Sequence, residues 1–238
     1  MSEAINIGET VGDLAYARIR GDILFARLVP GERLRLDAFS RRYGASISTM
    51  RELLNRLASE GLIVAEGQRG FEVAPVSAAE FREIGAMRLL LETHAMTQSF
   101  ALGDLDWEGR VVAAHHKLSV VEGRMVANVD ADPVLWKQCD REFHQALISA
   151  CGSRVLMATH AAIYDKYLRY QMVAIIFRGA IAAREHAMLL DCALKRDAAR
   201  ASGILKTHIE SCVDHALAED PPSWATTTVP TERAATRR

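Results

Sequence analysis

Over the first sixty residues apolar positions recur with the period of short amphipathic helices. Tyr16, Ile19, Ile23 and Ala26 share one side of a helix expected over 13–28, which the turn pair Pro30-Gly31 stops. A second short helix is expected from Leu36 to Tyr43. After the break Gly44-Ala45-Ser46, the residues Met50, Leu53, Leu54 and Leu57 repeat at i, i+3, i+4 and i+7 until Gly61, which predicts a third helix over 46–60. The period then changes. Leu62 to Glu66 and Phe71 to Ala74 are short β-compatible runs around Gly67-Gln68-Arg69-Gly70, a spacing that suits a hairpin. Helix, turn, helix and a hairpin behind them make a winged helix-turn-helix.

From Ser77 onward only helical periodicity is found, and helices are expected over 77–102, 106–127, 133–150, 153–177, 179–194 and 197–218. Asp132-Pro133 is a strong start signal, because Asp can cap while Pro occupies a first-turn position whose N–H the helix does not use. The expected fold is therefore mainly α: a winged helix-turn-helix of three helices plus a β-hairpin in residues 1–76, then an all-α antiparallel helical bundle in 77–218. The tail 219–238, Thr-rich and Arg-ended, has little to bury and is expected to be disordered.

Composition narrows the class. Of 238 residues half are apolar and a quarter charged, as in an ordinary soluble protein. The net charge of −1 hides a local asymmetry: residues 11–76 hold ten Arg, no Lys and eight acidic residues. DNA binding needs only a local cationic surface, so near-neutrality neither supports nor excludes it. Cys139, Cys151, Cys192 and Cys212 are far apart and fit neither a zinc ribbon nor a disulfide framework. The first residues lack an export signal and the longest strongly apolar run, Met172 to Phe177, is too short to span a bilayer. The cytoplasm, with no membrane partner, is the expected setting.

With its apolar stripe facing inward, the third helix turns Ser48, Arg51, Glu52, Asn55 and Arg56 outward. An Arg can donate two hydrogen bonds to a guanine edge, and Ser46, Ser48 and Thr49 stand where hydroxyls and helix N-terminal amides hold phosphates. By periodicity alone such a face is more often a plain surface helix. The stretch from Pro30 to Ser77 resembles the DNA-binding domain of the GntR superfamily in its PGxxL entry, its S-x-x-x-x-R-E-x-L helix and its R-G-F-x-V wing. The resemblance implies DNA contacts from Arg35, Ser46, Ser48, Thr49, Arg51 and the wing tip Gln68, Arg69 and Gly70. Where many relatives have Arg directly after the helix-capping Ser, this chain has Ile47.

In the second half, Asp140 and His144 interrupt the apolar stripe of Trp136, Phe143 and Leu147. Unpaired burial of such groups is expensive, and Asp and His at i and i+4 can chelate one cation from a single helix. His186 shares a stripe with Leu189 and Leu190, and His208 with Ile204, Leu205 and Cys212. One inward His is usually a satisfied core residue; three with an Asp are harder to explain so. From Phe81 the chain resembles the FCD effector domain in Arg88 to Glu92, Asp140 to His144, Glu185-His186 and His208-Ile209. The resemblance implies a divalent metal ion (Zn, Ni or Mn) on Asp140, His144, His186 and His208, with open positions for a small carboxylate effector. Arg88 would clamp a second carboxylate, its other reading being an i,i+4 ion pair with Glu92. Tyr167 and Arg169 are further pocket candidates, although Tyr167 lies among Leu156, His160 and Ile163 as a core residue would. Gly152-Ser153 replaces a family-typical Gly-Asn, and the remaining histidines fit no pattern.

The sequence thus reads as a metabolite-responsive transcription repressor, a homodimer on a double-stranded operator with an inverted repeat. Two rivals remain: a metal-dependent hydrolase-type enzyme, for which no general base is evident, and a regulator whose metal is purely structural.

Overall fold

Thr10 opens the first helix with a reciprocal cap, its hydroxyl accepting from the Asp13 amide while the Asp13 carboxylate accepts from the Thr10 amide. The computed structural model describes residues 10–65, 70–174 and 177–218. Helix α1 (Val11–Leu24) buries Ala15, Ile19, Ile23 and Leu24. It stops short of the expected residue 28 because Ala26 takes a left-handed backbone at φ 55°, and the amides of Arg27 and Leu28 fold back onto the Asp22 carbonyl at 2.8 and 2.9 Å. This cap turns Leu28 into the core.

Helix α2 (Leu36–Tyr43) matches its expected span and ends at Gly44, left-handed at φ 72°. Ser46 then caps α3 (Ile47–Ser59), which buries Met50, Leu53, Leu54 and Leu57. Strands β1 (Arg33–Leu34), β2 (Ile63–Ala65) and β3 (Phe71–Val73) form an antiparallel sheet in the order β1-β3-β2. The hairpin is there, with Val64 opposite Glu72, but its expected tip residues Gln68 and Arg69 lie outside the described residues. Strand β1 was not expected, since two residues are too few to show a period; its register comes from Leu34 entering the core opposite Phe71. These elements share one apolar cluster built on Ile19, Ile23, Phe39, Met50, Leu54, Leu57 and Val73.

Among the described residues six helices follow: α4 (Ala78–Leu102), α5 (Leu105–Ala127), α6 (Pro133–Ile148), α7 (Arg154–Val173), α8 (Ala180–Leu194) and α9 (Ala198–Ala218). Ser77, Asp104, Asp132 and Ser153 cap the first four of these through side-chain oxygens. Helices α6 and α7 end earlier than expected, at 148 and 173; Gly152 at φ 74° turns the chain between them. A second cluster, with Val76, Phe81, Trp107, Phe143, Tyr167, Leu189 and Leu205, fills this half. No helix among the described residues is long and apolar enough to cross a membrane.

The halves meet through charge. Arg20 on α1 donates to Glu60, the C-cap of α3, at 2.9 Å and to Asp165 on α7 at 2.7 Å. Arg141 on α6 pairs with the other oxygen of Asp165 at 2.9 Å, and Tyr16 donates to Glu60.

Candidate metal centre and nucleic-acid interface

The α3 face expected to meet DNA is open. Ser48, Arg51, Glu52, Asn55 and Arg56 are exposed, and Arg35 projects from the start of α2 beside Asp37. The Ser46 hydroxyl accepts from the Thr49 amide and lies 2.8 and 2.9 Å from the Ser48 and Thr49 hydroxyls, so three hydroxyls gather at one helix end. Arg56 lies over the Tyr16 ring, 3.8 Å from its centroid, which ties it to α1. Ile47, half exposed, is a bare apolar side chain among these polar groups. Gly70 is described at the end of the wing, left-handed at φ 98°.

In the helical half, α6 supplies Asp140 and His144 one turn apart, α8 supplies His186 and α9 supplies His208. All four are buried, and one candidate ligand atom from each lies within 4.8 Å of the others. Asp140 is divided between two tasks. Its Oδ2 accepts from the Tyr164 hydroxyl at 2.7 Å and from Lys137 at 3.2 Å, whereas Oδ1 stands 3.2 Å from His186 Nε2 and 3.8 Å from His144 Nε2. Those last three atoms are buried without a hydrogen bond.

The opposite edge of each ring is held by a glutamate. His144 Nδ1 bonds Glu92, His186 Nδ1 lies 2.7 Å from Glu122, and His208 Nδ1 lies 2.7 Å from Glu185. A carboxylate at Nδ1 fixes the Nδ1–H form, so the Nε2 lone pair points away from it, the arrangement in which metal-ligating imidazoles are held. Lone pairs facing a carboxylate oxygen repel unless a cation stands among them. The donor set therefore fits a divalent ion, and an all-imidazole-and-carboxylate set suits a borderline transition ion rather than calcium.

The buried charges make the same demand for a cation. Burial drives His186 down, but the facing Asp140 and Glu122 carboxylates outweigh it and push the imidazole up to about 9. Burial keeps His144 below its ordinary value despite Glu92, and holds His208 well below. Asp140 would rise on burial, yet Lys137 and the two histidines bring it well below the usual carboxylate range. Glu185, also raised by burial, is brought to about 2 by His208 and Arg178. Without a metal, a proton on His186 supplies the missing cation.

Arg88 is fully buried, sandwiched with its guanidinium carbon 4.5 and 4.6 Å from the Tyr164 and Tyr167 ring centroids. Its Nε donates to Glu92 at 2.9 Å, the i,i+4 pair, while both terminal nitrogens have no hydrogen-bond partner. Tyr167 packs on Phe81 and reaches the Ile209 carbonyl at 3.4 Å, a core position. Arg169, expected with the pocket residues, instead donates to the Ala74 carbonyl in the link after β3, because its side of α7 faces that link. Sequence reasoning missed Glu122, Lys137, Tyr164 and Arg178, and it named Glu92 and Glu185 without seeing that they stand behind His144 and His208. The available signal was an acid on an otherwise buried helical face, as at Glu122 beside Val121. Against the cluster lies a cavity of about 10 Å3, lined in part by Trp136, Gln171 and Arg178, with room for about one water.

The model described as bacterial regulatory proteins, gntR family, matches residues 12–73, and the FCD domain model matches residues 83–211. BphR of Paraburkholderia xenovorans, described as an uncharacterized HTH-type transcriptional regulator, is 37% identical over 207 residues, 84% of this chain and 83% of its own. The HTH-type transcriptional repressor GlaR of Escherichia coli is 29% identical over 202 residues, 82% of this chain and 90% of its own. Among solved structures, E. coli McbR/YncC superposes with a TM-score of 0.75 over 89% of this chain and 99% of its own; at 17% identity it speaks to the fold alone. The curated relatives are transcriptional regulators and not enzymes.

Proposed function

The chain belongs to the GntR family of bacterial regulatory proteins, with an FCD domain as its second half, and on that premise we propose that it represses transcription until a small organic acid binds beside a divalent metal. The DNA-binding regulator is shared with the relatives; repression, metal and effector are this reading's additions. Repression follows the name of the E. coli relative. The metal rests on one observation: three buried ligand atoms, Asp140 Oδ1, His144 Nε2 and His186 Nε2, converge without hydrogen bonds, while glutamates hold the far edges of the rings. The ion, when bound, supplies a Lewis-acidic anchor for a carboxylate. Arg88, with two unpartnered nitrogens, is the residue to take a second anionic oxygen.

Space explains how binding reaches DNA. An organic acid is larger than the 10 Å3 cavity, so its entry must displace helices that line it. Helix α7 carries Tyr164, bonded to the ligand Asp140, and next to it Asp165, bonded to Arg20 of the DNA-binding half. Helix α6 repeats the pairing with Asp140 inside and Arg141 on Asp165 outside. Movement of α7 therefore changes the seat of α1 and of the α3 C-cap, which gives the effector different affinity for the DNA-competent and incompetent arrangements. The small cavity also favours a second reading, a structural metal with no effector.

Metal analysis of the purified chain, followed by thermal-shift screening of mono- and dicarboxylates and by operator titration, tests the reading. Stoichiometric metal and a carboxylate that shifts both melting and operator affinity are expected. A metal-free chain overturns the metal, and metal with no responding acid leaves the structural ion.

A further inference from the structure

The cavity beside the metal centre has an unfinished far wall. Trp136 and Gln171 both line it, and both are buried. Trp136 Nε1, a donor, and Gln171 Oε1, an acceptor, have no hydrogen-bond partner among the described residues. The rest of each side chain is engaged. Gln171 Nε2 donates to Cys212 Sγ at 3.1 Å, while the Trp136 ring meets Phe177 edge to face and carries the Lys137 ammonium 3.9 Å from its centroid. Buried polar atoms are nearly always paired, so this donor and this acceptor are two halves of a contact still to be made.

Position along the bundle sets what can reach them. Trp136 stands one turn before Asp140 on α6, and Cys212, the partner of Gln171, stands one turn after His208 on α9. Four residues at about 1.5 Å each put this wall about 6 Å from those two ligands. Charge sets a second limit. Around the centre the carboxylates of Glu92, Glu122, Asp140 and Glu185 exceed the cations Arg88, Lys137 and Arg178 by one. With neutral imidazoles, a divalent ion turns that deficit into an excess of one positive charge. One anionic group restores neutrality, and a second would be buried without a partner.

We propose that the effector is a short hydroxy acid, with its single carboxylate at the ion and its hydroxyl between Trp136 and Gln171. A hydroxyl oxygen accepts from Trp136 Nε1 while its hydrogen goes to Gln171 Oε1. A methyl group in that place leaves both atoms open. A second carboxylate has no hydrogen to give, so it sets one acceptor against another. Bonds of about 1.5 Å put the hydroxyl about four bonds from the carboxyl carbon, rather than on the carbon beside it. The inference rests on the effector reading above and adds which acid the site selects.

Calorimetric titration of the full chain equilibrated with zinc, using 4-hydroxybutyrate, 2-hydroxybutyrate, butyrate and succinate, tests it. The 4-hydroxy acid is expected to bind about 30-fold tighter than butyrate, which leaves both buried atoms open, and at least about tenfold tighter than succinate. Trp136→Phe and Gln171→Met keep bulk but lose the donor or the acceptor, and each is expected to cut the first ratio to about threefold. The ratio is taken within one variant, so a general loss of stability does not imitate the effect. Should a variant fail to fold, the wild-type ratios decide alone. Equal binding of 4-hydroxybutyrate and butyrate, tighter binding of 2-hydroxybutyrate or succinate, or a ratio unmoved in both variants overturns the inference and leaves an effector at the centre. No binding by any of the four also overturns it, and another acid found in the carboxylate screen then keeps the effector reading standing. A chain that takes up no zinc yet prefers the 4-hydroxy acid sinks the metal and keeps this inference.

Discussion

The two halves of the chain keep their polar groups in opposite places. Among the described residues every buried polar or charged side chain, from Arg88 to His208, lies in the helical half, whereas the winged half buries only apolar side chains and tyrosine. The difference is one of task. A half that meets phosphates and bases needs a plain apolar core to hold its hydroxyls and arginines in the open. On the metal reading proposed above, the helical half must carry charge inside and stabilise it with partners such as Glu92, Glu122 and Lys137.

If the division is real, damage to one half should spare the other. Leu54→Ala empties a fully buried site in the winged half and should cost about 3 kcal/mol of that half's stability; chemical unfolding reads this, while metal titration should show an unchanged affinity. Glu122→Gln attacks the other half, keeping shape but removing the charge behind His186, and should weaken metal binding about 10-fold to 100-fold. A competition titration that finds no weakening removes Glu122 from that role. Arg51→Ala should lower specific operator affinity by about 1 to 3 kcal/mol and leave metal content alone; an unchanged gel shift would sever Arg51 from base recognition. Ile47→Ala should matter least, relaxing preference for one thymine methyl by about 1 kcal/mol, seen in a base-substituted operator series.

A pH series sharpens the contrast further. His186 in the metal-free fold is raised to about 9 from an ordinary 6.5, so its contribution to stability is full below about 6.5 and disappears as pH rises through about 9. Metal must displace that proton. Between pH 7 and 8 apparent metal affinity should therefore rise by up to about tenfold, with proton release in calorimetry. Affinity flat across this range would mean that another group compensates.

Legibility in the sequence followed the range of the forces involved. Helix α2 and the start of α3 were readable because Gly44 and Ser46 act locally, and Asp140 with His144 because one helix spaces them. The left-handed stop at Ala26 was not, since alanine rarely takes that backbone, and it is held there by the packing of Leu28 together with the amides that return to the Asp22 carbonyl. Nor were the glutamates behind the imidazoles. Glu122 reaches His186 across 64 residues and Glu92 reaches His144 across 52, so nothing local to either histidine announces its partner. Arg169 was misplaced for the same reason, its partner being a main-chain carbonyl 95 residues away.

The bond from Arg20 to Asp165 bears on how such regulators can be recombined. Arg20 and Glu60 come from the winged half, and Asp165 and Arg141 from the helical half, so each half holds its own ion pair and the Arg20–Asp165 bond is what joins the two. A hybrid that grafts another family member's reading head onto this sensor would fold and bind its operator, yet answer the sensor only if the graft brings its own arginine and acid to those two positions.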